Sequence, residues 1–134
     1  MWWKTKKKCM VSVEMYIEGK ELDFDDITSV LKIEPTEIFE KERIRVKEYA
    51  ADSWAYAIDF RECYDIADML YELKDIFEHK CDEINALAKK YDAVVGINIL
   101  MTRDEFRYMP IVCVPGDIVE FLGKISCQLA FDLV

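Results

Sequence analysis

Alternation of hydrophobic and polar residues marks the strands of this chain. Every second residue is apolar over 9–17 and again over 54–60, so each segment is predicted to be a strand with one buried face. Segment 93–101 is apolar at nearly every position, which is typical of a central strand. Three further strands are predicted, at 43–47, where basic residues alternate with apolar ones, and at 111–114 and 127–133.

A longer period predicts the helices. Between about residues 62 and 91, apolar residues recur every three, four or seven positions with no proline or glycine, which predicts one long helix. Short helices are predicted at 25–31, opened by Asp25 and Asp26, and at 118–122. The predicted element order is therefore β-α-β-β-α-β-β-α-β.

This order predicts an α+β fold. The expected architecture is a single, mostly antiparallel sheet of five to seven strands with one long helix and two short helices, because most sequential strands could pair as hairpins. A chain of 134 residues with 52% hydrophobic residues suits one core. We therefore expect a single domain over 9–134, preceded over 1–8 by a basic tail or strand extension.

Composition narrows the choice of partners. The chain has 27 Asp and Glu against 18 Lys and Arg, a formal net charge of -9, which would repel a phosphate backbone. No stretch approaches the roughly 20 apolar residues that cross a bilayer. The five cysteines are spread singly, without the spacing of a zinc site. These features predict a cytoplasmic protein with reduced thiols that binds neither nucleic acid nor membranes.

The N-terminal tail has the opposite charge to the rest of the chain. It carries Trp2, Trp3 and four lysines, a combination that could stack on bases or adsorb to an anionic surface. Without those lysines, 27 acids face 14 bases over 9–134, a charge of -13. Because residues 9–134 are so acidic, they would oppose binding to nucleic acid or to an anionic surface. We therefore favour the interpretation that the tail extends a strand or frays.

The run LDFDDITSVLKIEPT at residues 22–36 supports a family resemblance. It resembles the opening motif of the uncharacterised bacterial family DUF4279, in which an Ile-Thr pair and a Leu-x-Ile-x-Pro-Thr ending follow the first strand. A strand bearing Trp54, a long acidic helix and a C-terminal helix and strand (118–134) extend the likeness over most of the chain from about Val11. Family members often carry a glycine-rich turn before the tryptophan strand, where this chain has VKEYAA (46–51). The resemblance implies a fold and no particular activity.

No catalytic set emerges from the sequence. Asp75, His79 and Glu83 are spaced to share one helix face, but nothing supplies further metal ligands, and a solvated helix face explains them better. The cysteines lack a paired base, and no glycine-rich phosphate loop occurs. We therefore expect no catalytic residue, no metal and no cofactor, and favour a non-enzymatic protein.

The acidic face of the long helix is the first candidate binding surface. Acids greatly outnumber lysines there, which would steer a basic partner into contact, although plain solubility also favours such a face. The leading hypothesis is a bacterial domain that binds a basic protein, in its most concrete form an immunity-type protein that neutralises a cationic toxin. Its expected contacts are Asp65, Asp68, Glu72, Asp75 and Asp82.

A second hypothesis belongs to another class. A small-molecule sensor or small enzyme would use a pocket between the sheet and the long helix, with Tyr16, Trp54 and Tyr56 as aromatic contacts. A deep pocket with converging polar groups would favour this hypothesis, whereas a filled core beside an acidic surface would favour protein binding. The exposed side of the sheet also makes a homodimer possible.

Overall fold

A computed structural model describes residues 7–41 and 51–134. The strands of the described residues are β1 (Met10–Gly19), β2 (Glu37–Phe39), β3 (Asp52–Glu62), β4 (Val94–Met101) and β5 (Gln128–Leu133). The helices are α1 (Phe24–Leu31), α2 (Ile66–Phe77), α3 (Cys81–Tyr91) and α4 (Gly116–Lys124). A 3-10 turn at Glu78–Lys80 joins α2 to α3, so helical structure is continuous over 66–91.

The strands form one mixed sheet in the order β2-β3-β1-β4-β5. β1 runs antiparallel to both of its neighbours and β2 runs antiparallel to β3, whereas β5 runs parallel to β4. Helix α4 makes the crossover that a parallel pair requires. The predicted α+β class with a single, mostly antiparallel sheet is confirmed, as are the long helix and the two short ones.

The prediction that most sequential strands pair as hairpins is wrong. Among the described strands, only β2 and β3 are both consecutive and antiparallel neighbours. Helices intervene between the other consecutive strands, and β1 lies between β3 and β4. The chain therefore builds the sheet outward from its first strand, through pairings that are distant in sequence.

The core lies between the sheet and the helices. β1 contributes Val11, Val13, Met15 and Ile17, all buried, which confirms the alternation read from the sequence. Trp54 on β3 is 0% exposed, and its indole Nε1 donates to Thr28 Oγ1 of α1 at 3.1 Å. This hydrogen bond satisfies the only polar atom of the buried indole, so α1 is fastened to the sheet without an unpaired donor.

One predicted strand is absent from the described residues. Residues 111–114 form no strand, and only an isolated parallel bridge links Ile111 to Asp65. Pro110 and Pro115 flank this short run, and proline supplies no N–H to a sheet ladder. The strand predicted at 43–47 and residues 1–6 of the predicted tail lie outside the described residues.

Two aspartates accept backbone hydrogen bonds at the start of α1 and at the start of β3. Asp23, two residues before the predicted position, caps α1 by accepting from the Asp26 backbone N–H at 3.1 Å. The buried Asp52 accepts from the backbone N–H groups of Leu22 at 2.9 Å and Lys41 at 3.0 Å. Its carboxylate therefore fixes the segments before α1 and after β2 to the start of β3.

Candidate protein-binding surface

Bulky apolar side chains protrude from the segment between β4 and α4, which we call the apolar loop (residues 106–112). Phe106 is 69% exposed and Tyr108 is 70% exposed. The other exposed apolar residues of the loop are Met109, Ile111 and Val112. Exposed apolar side chains gathered in one short segment are typical of a surface that binds another molecule, whereas scattered ones need no explanation.

The first half of this loop has a fixed backbone. Asp104 Oδ1 accepts from the backbone N–H of Phe106 at 2.8 Å and from that of Tyr108 at 2.9 Å. The Cys9 thiol at the start of the sheet donates to the Tyr108 carbonyl at 3.2 Å. Because the backbone groups are held from within the protein, the aromatic side chains are displayed in defined positions.

The second half of the loop is tied to the start of α2. The Ile111 N–H donates to the Tyr64 carbonyl at 2.7 Å, and the Ile66 N–H donates to the Ile111 carbonyl at 3.1 Å. These bonds place Ile111 beside the first acids of α2. Displaying side chains from an ordered backbone lowers the entropy lost on binding.

An acidic depression of about 580 Å³ adjoins the loop, and we use that name for it below. It lies between the end of β3 and the first turns of α2, with Ile111 and Met69 among its apolar residues. One base, Arg61, faces four acids. The acids that line the depression are Glu62, Asp65, Asp68 and Glu72.

The predicted acidic residues divide into two groups. Asp65, Asp68 and Glu72 line the depression together, whereas Asp75 and Asp82 are exposed farther along the helical segment and do not line it. Asp65 also caps α2, accepting from the Ala67 N–H at 3.0 Å, and Glu72 pairs with Arg61 at 2.8 Å. Asp68 is exposed and neither caps the helix nor pairs with Arg61, so its carboxylate is available to a partner.

The three predicted aromatic contacts do not share a pocket. Trp54 is completely buried, and Tyr56 packs edge-on against Phe77 of α2 with ring centroids 5.7 Å apart. Tyr16 points to the opposite face of the sheet, since it lies opposite Ala55 and Gly96 rather than among the residues that face the helices. The space between sheet and helices at Trp54 and Tyr56 is therefore occupied by core side chains.

The face of the sheet away from the helices, called here the open face, carries a shallow cleft of about 230 Å³. Its lining includes Glu14 and Asn98, which lie opposite each other on β1 and β4, and Glu37 on β2. Partial burial and the nearby Glu37 carboxylate raise the pKa of Glu14, while a hydrogen bond with Asn98 acts in the opposite direction. The cleft is thus an acidic site with one carboxyl group that protonates more readily than usual.

A tyrosine lies flat across the same face. A Cβ atom on Gly96 would come within 2.2 Å of Tyr16 Oη, so only glycine at this position leaves room for the ring. Gln128 Nε2 on β5 donates to Tyr16 Oη at 2.7 Å. Tyr16 consequently spans β1, β4 and β5 and ties the edge strand to the centre of the sheet.

The cysteines differ in their surroundings. Burial raises the pKa of Cys9, Cys63 and Cys81, and raises the pKa of Cys127 to about 12. A raised pKa keeps a thiol protonated and unreactive. Cys113 is exposed just after the apolar loop, although the sequence suggested a strand there.

The histidine that the sequence predicts on a solvated helix face, beside Asp75 and Glu83, lies outside the regular α-helices. His79 lies in the 3-10 turn, with its Nε2 3.5 Å from the Glu78 carboxylate. In the described part of the chain, no three His, Cys, Asp or Glu residues are grouped so as to hold a metal ion. Within the same residues, no helix combines the length and apolar character needed to span a membrane.

The apolar loop is not predicted by the sequence pattern, which indicates a strand at 111–114 and no element at 106–109. The available signal was local: four bulky residues, Phe106 to Met109, follow a charged turn and precede Pro110. The next run, 111–114, lies between Pro110 and Pro115, and a short apolar run between two prolines has few ways to enter a sheet, so its side chains stay at the surface.

Comparison with known proteins gives a family and no function. No curated protein matches this chain, and no solved structure matches it. The family described as "Domain of unknown function (DUF4279)" matches residues 7–134, which confirms the resemblance read from segment 22–36. The chain therefore belongs to the DUF4279 family.

Proposed function

We propose that this protein binds a basic protein through the acidic depression and the neighbouring apolar loop. The observation that carries the proposal is the contact between these two surfaces at Ile111, which belongs to both. Exposed aromatic side chains supply area to bury, and the acids beside them select a partner of opposite charge.

The two parts of the surface have different tasks. Aromatic residues on a fixed backbone are the usual anchors of an interface, so Phe106 and Tyr108 are the expected sources of affinity. The exposed carboxylate of Asp68 contributes chiefly to association rate and specificity, because exposed charges steer a partner more than they hold it. Binding should therefore weaken with salt without being abolished by it.

The concrete form of this proposal remains an immunity-type protein that blocks a cationic toxin. Its support is the small acidic chain, the acidic depression and the ordered apolar loop beside it. An inhibitor of this kind needs a preorganised surface rather than a catalytic set. The toxin would insert lysine or arginine side chains into the depression and cover the loop.

The experiment has a capture step and a mapping step. The chain is co-expressed with the products of adjacent genes, and a retained basic protein is identified and titrated by calorimetry. The test variant is Phe106→Ser with Tyr108→Ser, and Asp68→Asn is compared with Asp75→Asn, an exposed acid outside the depression. We expect the double variant to weaken binding by at least about 2 kcal/mol, as at hot spots, and D68N to weaken it more than D75N.

Cys113 provides a second measurement that needs no substitution. Its exposed thiol lies one residue beyond the apolar loop, so a bound partner should slow its alkylation. Cys127, with its raised pKa, should react slowly in both states. The proposal is wrong if the partner binds the loop double variant and D68N as tightly as the parent and leaves Cys113 equally reactive.

A small-ligand function is the second candidate, and the cleft on the open face favours it. The site between the sheet and the long helix is filled at Trp54 and Tyr56, whereas Glu14, Glu37 and Asn98 meet in an accessible cleft. With Glu18, which also lines the cleft, three carboxylates and an amide suit a cationic ligand such as a primary amine. If a panel of small amines raises the melting temperature of the parent and not of Glu14→Gln, while no basic protein is captured, the second function replaces the first.

A further inference from the structure

Strand β5 forms one edge of the sheet, and five of its six residues are exposed. The Val134 N–H donates to the Met101 carbonyl at 2.8 Å. In a parallel pair, alternate residues of a strand bond to the neighbouring strand, so this bond shows which residues of β5 bond to β4. Even-numbered residues therefore bond to β4, and the N–H and C=O groups of Leu129, Phe131 and Leu133 point away from the sheet. No described residue donates to or accepts from these outward groups.

This edge lacks the features that keep most edges unpaired. β5 contains no lysine, proline or glycine, and its only charged residue is Asp132. Phe131 is 43% exposed and Leu133 is 38% exposed beside the outward backbone groups. Such an edge is a template for another strand.

We propose that β5 pairs antiparallel with β5 of a second copy of this chain, about a two-fold axis at Ala130, to form a continuous ten-stranded sheet. In this register Leu129 lies opposite Phe131 of the second copy, and the outward groups of both residues exchange their two hydrogen bonds. Gln128 lies opposite Asp132. The symmetry forms each of these pairs twice.

The side chains fit this register on both faces of the strand. The aliphatic-aromatic pair of Leu129 and Phe131 falls on the face that carries the helices, and Gln128 meets Asp132 on the open face. Gln128 uses one amide N–H for Tyr16, so the other N–H remains for the carboxylate of Asp132. The two Asp132 carboxylates do not face each other, and the small Ala130 lies on the axis.

The expected dimer is weak, because two six-residue edges bury less than the roughly 800 Å² per partner of a standard interface. Each copy also carries a formal charge of -9, so the copies repel each other at low salt. We expect dimerisation to strengthen as salt rises. Binding of a basic protein weakens with salt, so this inference and the proposed function succeed or fail separately.

Sedimentation equilibrium of the full chain over a range of concentrations, at low and high salt, measures the association. Phe131→Lys places a charge on the outward edge and removes both Leu129–Phe131 pairs. We expect it to raise the dissociation constant about tenfold, because the paired edge gains a charge and loses the Leu129–Phe131 contact on both sides of the axis. Val119→Lys, at an exposed position of α4, is the control and should leave the constant unchanged.

The register is tested by cross-linking in a Cys113→Ser background, because Cys113 is exposed. Ala130→Cys places two thiols across the axis, where opposite residues of a non-hydrogen-bonded pair have Cα atoms about 4.5 Å apart, within the range of a disulfide. Oxidised glutathione should convert this variant to a covalent dimer. Asp132→Cys, which lies opposite Gln128, should cross-link far more slowly. The inference is overturned by a monomer at hundreds of micromolar in high salt, by a dimer insensitive to F131K, or by equal cross-linking of the two cysteine variants.

Discussion

The two faces of the sheet are stabilised by different interactions. The covered face presents Met15, Ile17 and Trp54 to the helices, and burial removes their apolar surface from water. The open face presents mostly small and polar residues, and its largest side chain, Tyr16, is accommodated by Gly96 and held by Gln128. One face therefore supplies most of the stability, while the other maintains a particular arrangement of polar groups.

The largest effect is expected from Trp54→Ala on the covered face. Truncating a fully buried aromatic side chain leaves a cavity, and the free energy of unfolding should fall by about 3–5 kcal/mol. Urea denaturation measures the loss. Thr28→Val removes the hydrogen-bond acceptor, leaves the buried indole N–H unpaired and should cost about 1–3 kcal/mol. Similar losses in the two variants would show that the indole packing contributes little.

Gly96→Ala should have the next largest effect, on the open face. The added methyl group displaces the Tyr16 ring, at an expected cost of about 1–3 kcal/mol. The same substitution in a Tyr16→Ala background meets no ring, so its cost should nearly vanish. A double-mutant cycle by urea denaturation measures this coupling, and equal costs in both backgrounds would refute the close contact.

Tyr16→Phe keeps the ring over Gly96 and removes the hydroxyl that accepts from Gln128. We expect the free energy of unfolding to fall by about 0.5–1.5 kcal/mol, as for a typical hydrogen bond. Amide hydrogen exchange in β5 should quicken, because the edge strand loses its link to β1. Unchanged exchange in β5 with a lowered global stability would argue against that link.

The smallest effect is expected from Glu14→Gln, and it depends on pH. Because burial and Glu37 raise the pKa of Glu14, the folded state holds this proton more tightly than the unfolded chain does. Stability therefore falls as pH rises from the unfolded-chain pKa, about 4.3, through the higher folded value. The variant should be slightly more stable than the parent at pH 7 and no more stable below about pH 4.

Urea denaturation of the parent and of E14Q between about pH 4 and pH 7 measures how the stability difference between the two proteins changes with pH. Glu37→Gln removes only one cause of the raised pKa and should give a smaller increase in stability at pH 7. A stability difference between parent and E14Q that is the same at every pH would contradict the assignment.

Local patterns predicted much of this fold. Period-two alternation located β1 and β3, and the helical period located the segment from Ile66 to Tyr91. Pairing was not predictable in the same way, because nothing in the alternation of β1 shows that its neighbours are β3 and β4. The 3-10 turn at Glu78–Lys80 was also missed, since the apolar period continues across it.

The candidate site was predictable only in part. The charge pattern drew attention to Asp65, Asp68 and Glu72, which do lie together. The apolar loop beside them depends on tertiary contacts, namely the bonds from Ile111 to Tyr64 and Ile66, that no local period encodes. Tyr16 and Trp54 alternate along separate strands, so only the register shows that they face opposite sides of the sheet.

The central position of β1 has a consequence for folding kinetics. Glu18 pairs with Ser53 on one side and with Val94 on the other, so both neighbours of the first strand are distant in sequence. Closing such loops costs entropy before any contact compensates for it, and proteins dominated by non-local pairs fold in milliseconds to seconds. During synthesis, β1 emerges long before either neighbour. The nascent chain must therefore keep an apolar strand with two open edges from aggregating until β3 and β4 have left the ribosome.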